Sequence, residues 1–214
     1  MTTGLQNRDR PRQFLKNLLN DYGRFIRTFV KDPLAVGSVA PSSPYLAKSI
    51  LQAARVSDQS EVVEYGPGTG AFTVFLQALL AGTDAQLILI EMHPVFCQLL
   101  RERFPTARVI EARASEVRRH ISAGQIDLVI SSLPFTFIPW HDTRETILRT
   151  HEILRVGGEF RTYLYLTSLI FWNNLRLLWL LHQTFKVRYR VVFFNFPPAI
   201  IMECHKDHLR AKGR

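Results

Sequence analysis

Between Val62 and Thr73 the chain reads Val-Val-Glu-Tyr-Gly-Pro-Gly-Thr-Gly-Ala-Phe-Thr. Glycine stands at every second position, Gly66, Gly68 and Gly70, with Pro67 and Thr69 between them. Glycines so spaced permit positive φ and let a ligand lie against bare backbone. The apolar residues that follow, Phe72, Phe75, Leu76, Leu79 and Leu80, recur at helical spacing, so the loop opens a helix whose first N–H groups are free. Glu64 closes the strand before the loop, and Glu91 closes the next apolar run, Leu87 to Ile90. An acid at the end of the second strand can accept hydrogen bonds from both hydroxyls of a ribose. The chemistry these residues serve is the binding of a nucleoside-bearing cofactor. A nicotinamide dinucleotide fits less well, because its fingerprint sets the third glycine one residue later.

A second group of residues lies beyond the fourth strand. The run Ile126–Ser131 leads directly into Ser131-Ser132-Leu133-Pro134-Phe135. An apolar strand that ends in a proline-stiffened turn delivers that turn to the carboxyl end of the sheet, where ligands of open α/β sheets bind. His141 and Asp142 follow it. Tyr45, near the start of an earlier helix, is a third residue able to take a proton. His141 and His151 lack the spacing of metal ligands, and no metal is expected.

The elements that position these residues follow from periodicity. A helix is expected over Tyr45 to Ala54, capped by Ser42 or Ser43. Strands are expected at Glu61–Glu64, 86–91, Arg108–Glu111, Ile126–Ser131 and Glu159–Leu166. Helices are expected over about 71–81, from Pro94 to before Phe104-Pro105, and over 142–154, the last ended by Gly157-Gly158. Residues 167–182 are strongly apolar but interrupted by Asn173, Asn174 and Arg176, which makes them too polar in the middle for a spanning helix. They suit a core helix or one that dips into lipid. Lys186–Phe194 and Ile200–His205 read as an antiparallel pair joined by Asn195-Phe196-Pro197-Pro198-Ala199. Alternating strands and helices predict a doubly wound sheet.

At 214 residues with 2 cysteines, the chain suits one α/β domain and excludes a disulfide-built scaffold. The net charge of +9 favours an anionic partner, nucleic acid or membrane, over plain solubility charge. Residues 1–11 read as a disordered leader. In residues 12–32, Phe14, Leu18, Tyr22, Phe25 and Phe29 lie on one helical face, with Arg24 and Arg27 among the basic residues around it. Such a helix either lies in a membrane interface or packs on the domain core. Residues 33–44 are a loop of small residues that serves as a cover over a ligand or as a connector. The domain proper is expected to span 33–205, followed by a basic tail, 206–214.

Glu64-Tyr65-Gly66-Pro67-Gly68-Thr69-Gly70 with Glu91 resembles the first two motifs of class I S-adenosylmethionine-dependent methyltransferases. The resemblance implies a Rossmann-like doubly wound α/β sheet of about seven strands, an antiparallel C-terminal strand pair and, here, an N-terminal amphipathic helix. It implies that Gly66 to Gly70 wrap the methionine part of the cofactor and that Glu91, with Met92 after it, meets the ribose. Glu64 would act through the loop on the amino group. The family usually has an acid for the adenine where this chain has Arg113, so adenine falls to the Ala114 amide and Arg113 stacking, or is held less tightly. Ser131 completes the cofactor set.

Ser132-Leu133-Pro134-Phe135 resembles a motif of two groups within that family. Ribosomal RNA adenine dimethylases carry asparagine where Ser132 stands. Bacterial phospholipid N-methyltransferases are the better match, and Val36-Gly37-Ser38-Val39-Ala40-Pro41-Ser42-Ser43 and Asn195-Phe196-Pro197-Pro198-Ala199 also resemble them. This implies methyl transfer to the amine of phosphatidylethanolamine or another aminolipid. Ser43, Tyr45, Ser132, Leu133, Pro134 and Phe135 would face the substrate, and Tyr45, His141 or Asp142 would take its proton. The protein would sit peripherally on the cytoplasmic face of an anionic membrane. The alternatives are RNA adenine N-methylation and a non-catalytic protein that binds lipid or RNA on the same fold.

Overall fold

A computed structural model describes residues 44–54, 56–193, 195 and 197–207. The leader, the amphipathic segment with its seven apolar and basic positions of interest (Phe14, Leu18, Tyr22, Arg24, Phe25, Arg27 and Phe29), most of the small-residue loop including Ser43, and the tail from 208 lie outside the described residues. Val, Ile and Leu runs buried on both faces form the central strands, as a parallel sheet covered on two sides requires. The order along the chain is α1 (Pro44–Leu51), β1 (Glu61–Tyr65), α2 (Thr73–Leu80), β2 (Gln86–Glu91), α3 (Pro94–Arg103) and β3 (Arg108–Glu111). A 3₁₀ turn at Ala114–Arg119 precedes β4 (Ile126–Ser131), α4 (Trp140–Ile153) and β5 (Leu154–Tyr165). A second 3₁₀ turn, Leu166–Ile170, leads to α5 (Trp172–Thr184), β6 (Lys186–Val192) and β7 (Ala199–His205).

These strands make one seven-stranded sheet in the order β3-β2-β1-β4-β5-β7-β6. The first five are parallel, and β7 runs antiparallel to both β5 and β6. The chain therefore reverses its winding between β1 and β4, and the crevice beyond their carboxyl ends is where such sheets bind ligands. On one face Val63, Ile88, Ile126 and Val129 pack with Ile147 of α4 and Leu177 and Leu181 of α5. On the other, Val62, Leu89, Leu128 and Ile130 pack with Leu46 of α1, Leu76 of α2 and Leu100 of α3.

Three expectations are corrected. α4 does not end on Gly157-Gly158; it ends at Ile153, where the Leu154 N–H bonds the Thr150 carbonyl. The glycines lie inside β5. Gly157, at φ +80°, forms an irregular start to the strand, and a side chain on Gly158 would meet the Arg155 and Ile126 carbonyls at 2.9 and 3.0 Å. The tail does not begin at Lys206, whose ammonium group donates 2.7 Å hydrogen bonds to the His151 and Leu154 carbonyls. It thereby caps the C-terminus of α4, where a cation is favoured. The apolar stretch 167–182 is not a single helix: it divides into the 3₁₀ turn and α5. α5 buries Leu177, Leu180 and Leu181 and leaves Trp172, Leu175 and Trp179 exposed. No helix among the described residues is long and apolar enough to cross a membrane.

Candidate active site

The parallel ladder runs one residue beyond the strands and sets the loops side by side. The Gly66 N–H donates to the Ile90 carbonyl at 3.0 Å, the Ala112 N–H to Glu91 at 3.0 Å and the Ser132 N–H to Tyr65 at 3.2 Å. The glycine loop, Glu91, the Arg113–Ala114 segment and the Ser132 loop thus share the carboxyl end of the sheet.

Each glycine of the loop has positive φ: +66° at Gly66, +55° at Gly68 and +85° at Gly70. Their surroundings differ. A Cβ at Gly66 would stand 2.8 Å from the Leu133 side chain, and one at Gly70 would run into the ring of Phe104, within 2.9 Å of its Cζ. Above Gly68 there is nothing within 4 Å. Only Gly68 presents bare backbone to open space; the outer two are glycines because protein packs against them. Pro67 is buried beneath the loop, the Gly70 N–H bonds the Pro67 carbonyl at 2.8 Å, and the Arg103 guanidinium donates to the Thr69 carbonyl. Gly70→Ala is expected to cost about 2 kcal/mol of stability, from overlap with the buried ring added to backbone strain. Gly68→Ala is expected to cost about 1 kcal/mol, from strain alone. Urea unfolding of the two variants checks the difference.

Glu91 is buried and braced. Its Oε2 accepts from the Gly68 N–H at 3.1 Å and its Oε1 from the His93 N–H at 2.9 Å. Each carboxylate oxygen keeps a further lone pair, enough for a vicinal diol. Met92, the next residue, is exposed. Glu64 is fully buried at the end of β1. The Thr73 hydroxyl donates to its Oε2 at 2.7 Å, while its Oε1 has no partner. Burial, opposed by the Thr73 hydrogen bond and reinforced by Glu91, pushes its pKa up to about 8. A buried, half-satisfied carboxyl group under an open glycine loop fits a cofactor with a cationic tail, and the Glu91 carboxylate fits its ribose. S-adenosylmethionine has both features.

Arg113 bonds Asp142 at 3.5 Å, and His141 approaches the same carboxylate at 3.4 Å. Asp142 is therefore engaged as the partner of Arg113 and does not stand free as a base, contrary to one expectation. His141 projects outward, with its side chain 79% exposed. The Ala114 amide opens the 3₁₀ turn beside Arg113.

Ser131 is buried and its hydroxyl accepts from the Leu133 N–H at 3.3 Å. The Ser132 hydroxyl lies 3.0 Å from the Gly66 carbonyl and 3.2 Å from that of Tyr65, so it ties the two loops together. Leu133 lies over Gly66 and Pro134 is exposed. Phe135 is only 1% exposed and belongs to the core, so its expected contact with substrate is replaced by support of the turn from below. Tyr45 is half exposed on α1, a helix that packs on α2 and β5. Thr73, Phe104, Arg103 and Asn174 were not singled out from sequence. Phe104-Pro105 carried a local signal only as a helix end and Asn174 only as a break in an apolar stretch; Arg103 and Asn174 act through contacts distant in sequence, and Thr73 through one nine residues back.

The family described as a methyltransferase domain matches residues 62–158. The ornithine lipid N-methyltransferase of Singulisphaera acidiphila is 30% identical over 148 residues, 66% of this chain and 77% of that protein. The ribosomal RNA small subunit methyltransferase A of Thermotoga maritima is 26% identical over 147 residues, 63% of this chain and 51% of that protein. The crystal structure of TrmN from Thermus thermophilus superposes with a TM-score of 0.62 at 17% identity, covering 78% of this chain and 50% of that one. The chain thus spans about half the length of the last two proteins and about three quarters of the first. The domain match, the extent of the first relative and a glycine loop and braced acid that suit the cofactor lead to one conclusion: the chain belongs to the class I S-adenosylmethionine-dependent methyltransferases, and its cofactor is S-adenosylmethionine.

Proposed function

We propose that the chain transfers methyl groups to the amine of a lipid headgroup, an aminophospholipid or an amino-acid-containing lipid, while bound peripherally to the cytoplasmic face of an anionic membrane. The observation that carries this reading is the ornithine lipid N-methyltransferase relative, most of whose length is matched. The net charge of +9 agrees with an anionic surface. When bound, S-adenosylmethionine supplies an electrophilic methyl group on a sulfonium.

The chain's own residues then align an amine lone pair and keep water away. Ser132 fixes the acceptor loop to the glycine loop, and Leu133 closes the space over Gly66. Pro134, on the outer side of the turn, meets the headgroup. The amine arrives protonated and must lose that proton first. A less polar surround lowers its pKa. His141, exposed beside the site, passes the proton to solvent, with Tyr45 as the other candidate. Arg113, paired with Asp142, and the Ala114 amide would hold the adenine.

RNA adenine methylation is the second reading. The ribosomal RNA methyltransferase relative and Leu133-Pro134-Phe135 favour it. Ser132 in place of asparagine weighs against it. The test is transfer of radiolabelled methyl from S-adenosylmethionine, with anionic vesicles containing phosphatidylethanolamine or ornithine lipid offered beside total RNA. Label is expected in the lipid phase, where chromatography identifies the headgroup and the number of methyls. Label in RNA would replace the lipid reading. Label in neither, with cofactor bound, would favour a non-catalytic lipid- or RNA-binding protein.

A further inference from the structure

The chain has 3 tryptophans, and all of them line one groove of about 480 Å³ between the start of α4 and the N-terminal half of α5. Trp140 and Arg144 come from α4; Trp172, Leu175, Arg176 and Trp179 come from α5. Trp172 is 70% exposed, Trp179 62% and the neighbouring Ile170 79%. So much apolar surface gathered on one face marks an interaction site. The Arg176 guanidinium lies 4.0 Å from the centre of the Trp140 ring, and Arg144 stands alongside. No acid is among the residues that line the groove; Glu145, next to Arg144 on α4, pairs with Arg144 and Arg149.

This face is joined to the acceptor loop. The Asn174 amide donates to the Thr136 hydroxyl at 3.0 Å and to the Ser168 carbonyl at 2.6 Å, and the Phe137 and Phe171 rings lie 6.4 Å apart. The turn Ser132–Phe135 that would meet the headgroup is therefore fastened to the first turn of α5. Both helices begin at the carboxyl end of the sheet, at the mouth of the site.

We infer that this face docks the catalytic domain on an anionic bilayer, with α5 lying along the interface and the acceptor loop facing the headgroups. The inference rests on the aminolipid reading and identifies the surface that presents the site to the lipid. Indole rings settle at the headgroup level and arginines bind lipid phosphate. The absence of any acid among the groove's lining residues, the Arg176 guanidinium and the rim of exposed indole rings match a negatively charged, apolar lipid interface. α5 keeps Leu177 and Leu181 in the core, so it rests at the interface and does not cross.

Because every tryptophan lies in this groove, tryptophan emission excited selectively, beyond the tyrosine absorption band, reports on the groove in the full-length protein. The experiment titrates phosphatidylglycerol/phosphatidylethanolamine vesicles, with and without acyl bromination, and follows emission alongside co-sedimentation. The expected result is a blue shift on binding and quenching by brominated chains, both lost with phosphatidylcholine vesicles. Sedimentation with the emission unmoved would overturn the inference and move docking elsewhere, to the amphipathic N-terminal segment. An emission already blue-shifted and unchanged by lipid would mean that a second copy or the chain's own first 43 residues occupy the groove, which also overturns it. Trp172→Ser combined with Trp179→Ser is expected to weaken vesicle binding roughly a hundredfold, with S-adenosylmethionine affinity retained as proof of folding. A loss of less than about twofold would again overturn it. Methyl transfer to the aminolipid dispersed in detergent separates the two proposals. Quenching without any transfer would leave the docking face and remove the substrate, whereas transfer without quenching would do the reverse.

Discussion

Gly68→Arg is expected to eliminate S-adenosylmethionine binding while the domain stays folded. The substitution places a long side chain in the space above the glycine loop, the one point of the loop where a Cβ meets nothing. Strain at φ +55° costs about 1 kcal/mol, small against the stability of a domain this size. The loss of affinity should exceed roughly a thousandfold, since the side chain excludes the ligand from the backbone it must approach. Calorimetry gives the affinity and thermal unfolding gives the fold. Unchanged affinity would mean that the loop is not the cofactor site. The contrast with Gly70→Ala is the informative part, because there the fold should suffer first.

Glu64→Gln should raise the stability of the cofactor-free protein and lower its affinity for the cofactor. In the folded chain burial raises the Glu64 carboxyl pKa to about 8, from an ordinary value of 4.5. Between these two values the folded state holds a proton that the unfolded state has released, so stability falls as pH rises through that window. The penalty is on the order of a few kcal/mol and is fully present above about pH 8. Glutamine is neutral in both states and can still accept from the Thr73 hydroxyl, so the variant should lack this slope. Its advantage over wild type should be negligible near pH 4 and greatest above pH 8. A cation held over the loop favours the ionised carboxylate, which glutamine cannot supply. Affinity should therefore fall by at least about tenfold at pH 8. Urea midpoints from pH 4 to 9, with calorimetry at pH 8, check both signs. Parallel pH slopes for the two proteins would remove Glu64 as the source.

Much of the fold was legible because its determinants are local. Apolar runs of the right length placed the first four parallel strands and the second half of the fifth. The Pro94 start of α3 and the antiparallel pair at the C-terminus were also readable. The failures share a cause. Gly157-Gly158 looked like a helix stop because glycine ends helices, but in this chain the same freedom serves an irregular strand start whose partner, Lys206, lies 49 residues on. Phe135 looked like a substrate contact because it follows a proline turn, yet it points into the core. Asp142 looked like a candidate base because it follows the acceptor loop, but Arg113, 29 residues earlier, pairs with it across the top of the sheet.

The sequence by itself marked the loop and the acid that would hold a nucleoside cofactor. Glycine spacing and an acid at a strand end act through backbone sterics and strand direction, and both operate within a few residues. The tertiary structure alone decided which glycine faces open space and that Thr73 holds half of the buried Glu64. It also tied Ser132 to Gly66 and brought three tryptophans from two helices onto one face beside the site. Those facts depend on which strands are neighbours and which helix faces remain uncovered. Strand order and packing against distant residues set both, and neither leaves a periodic mark in the chain.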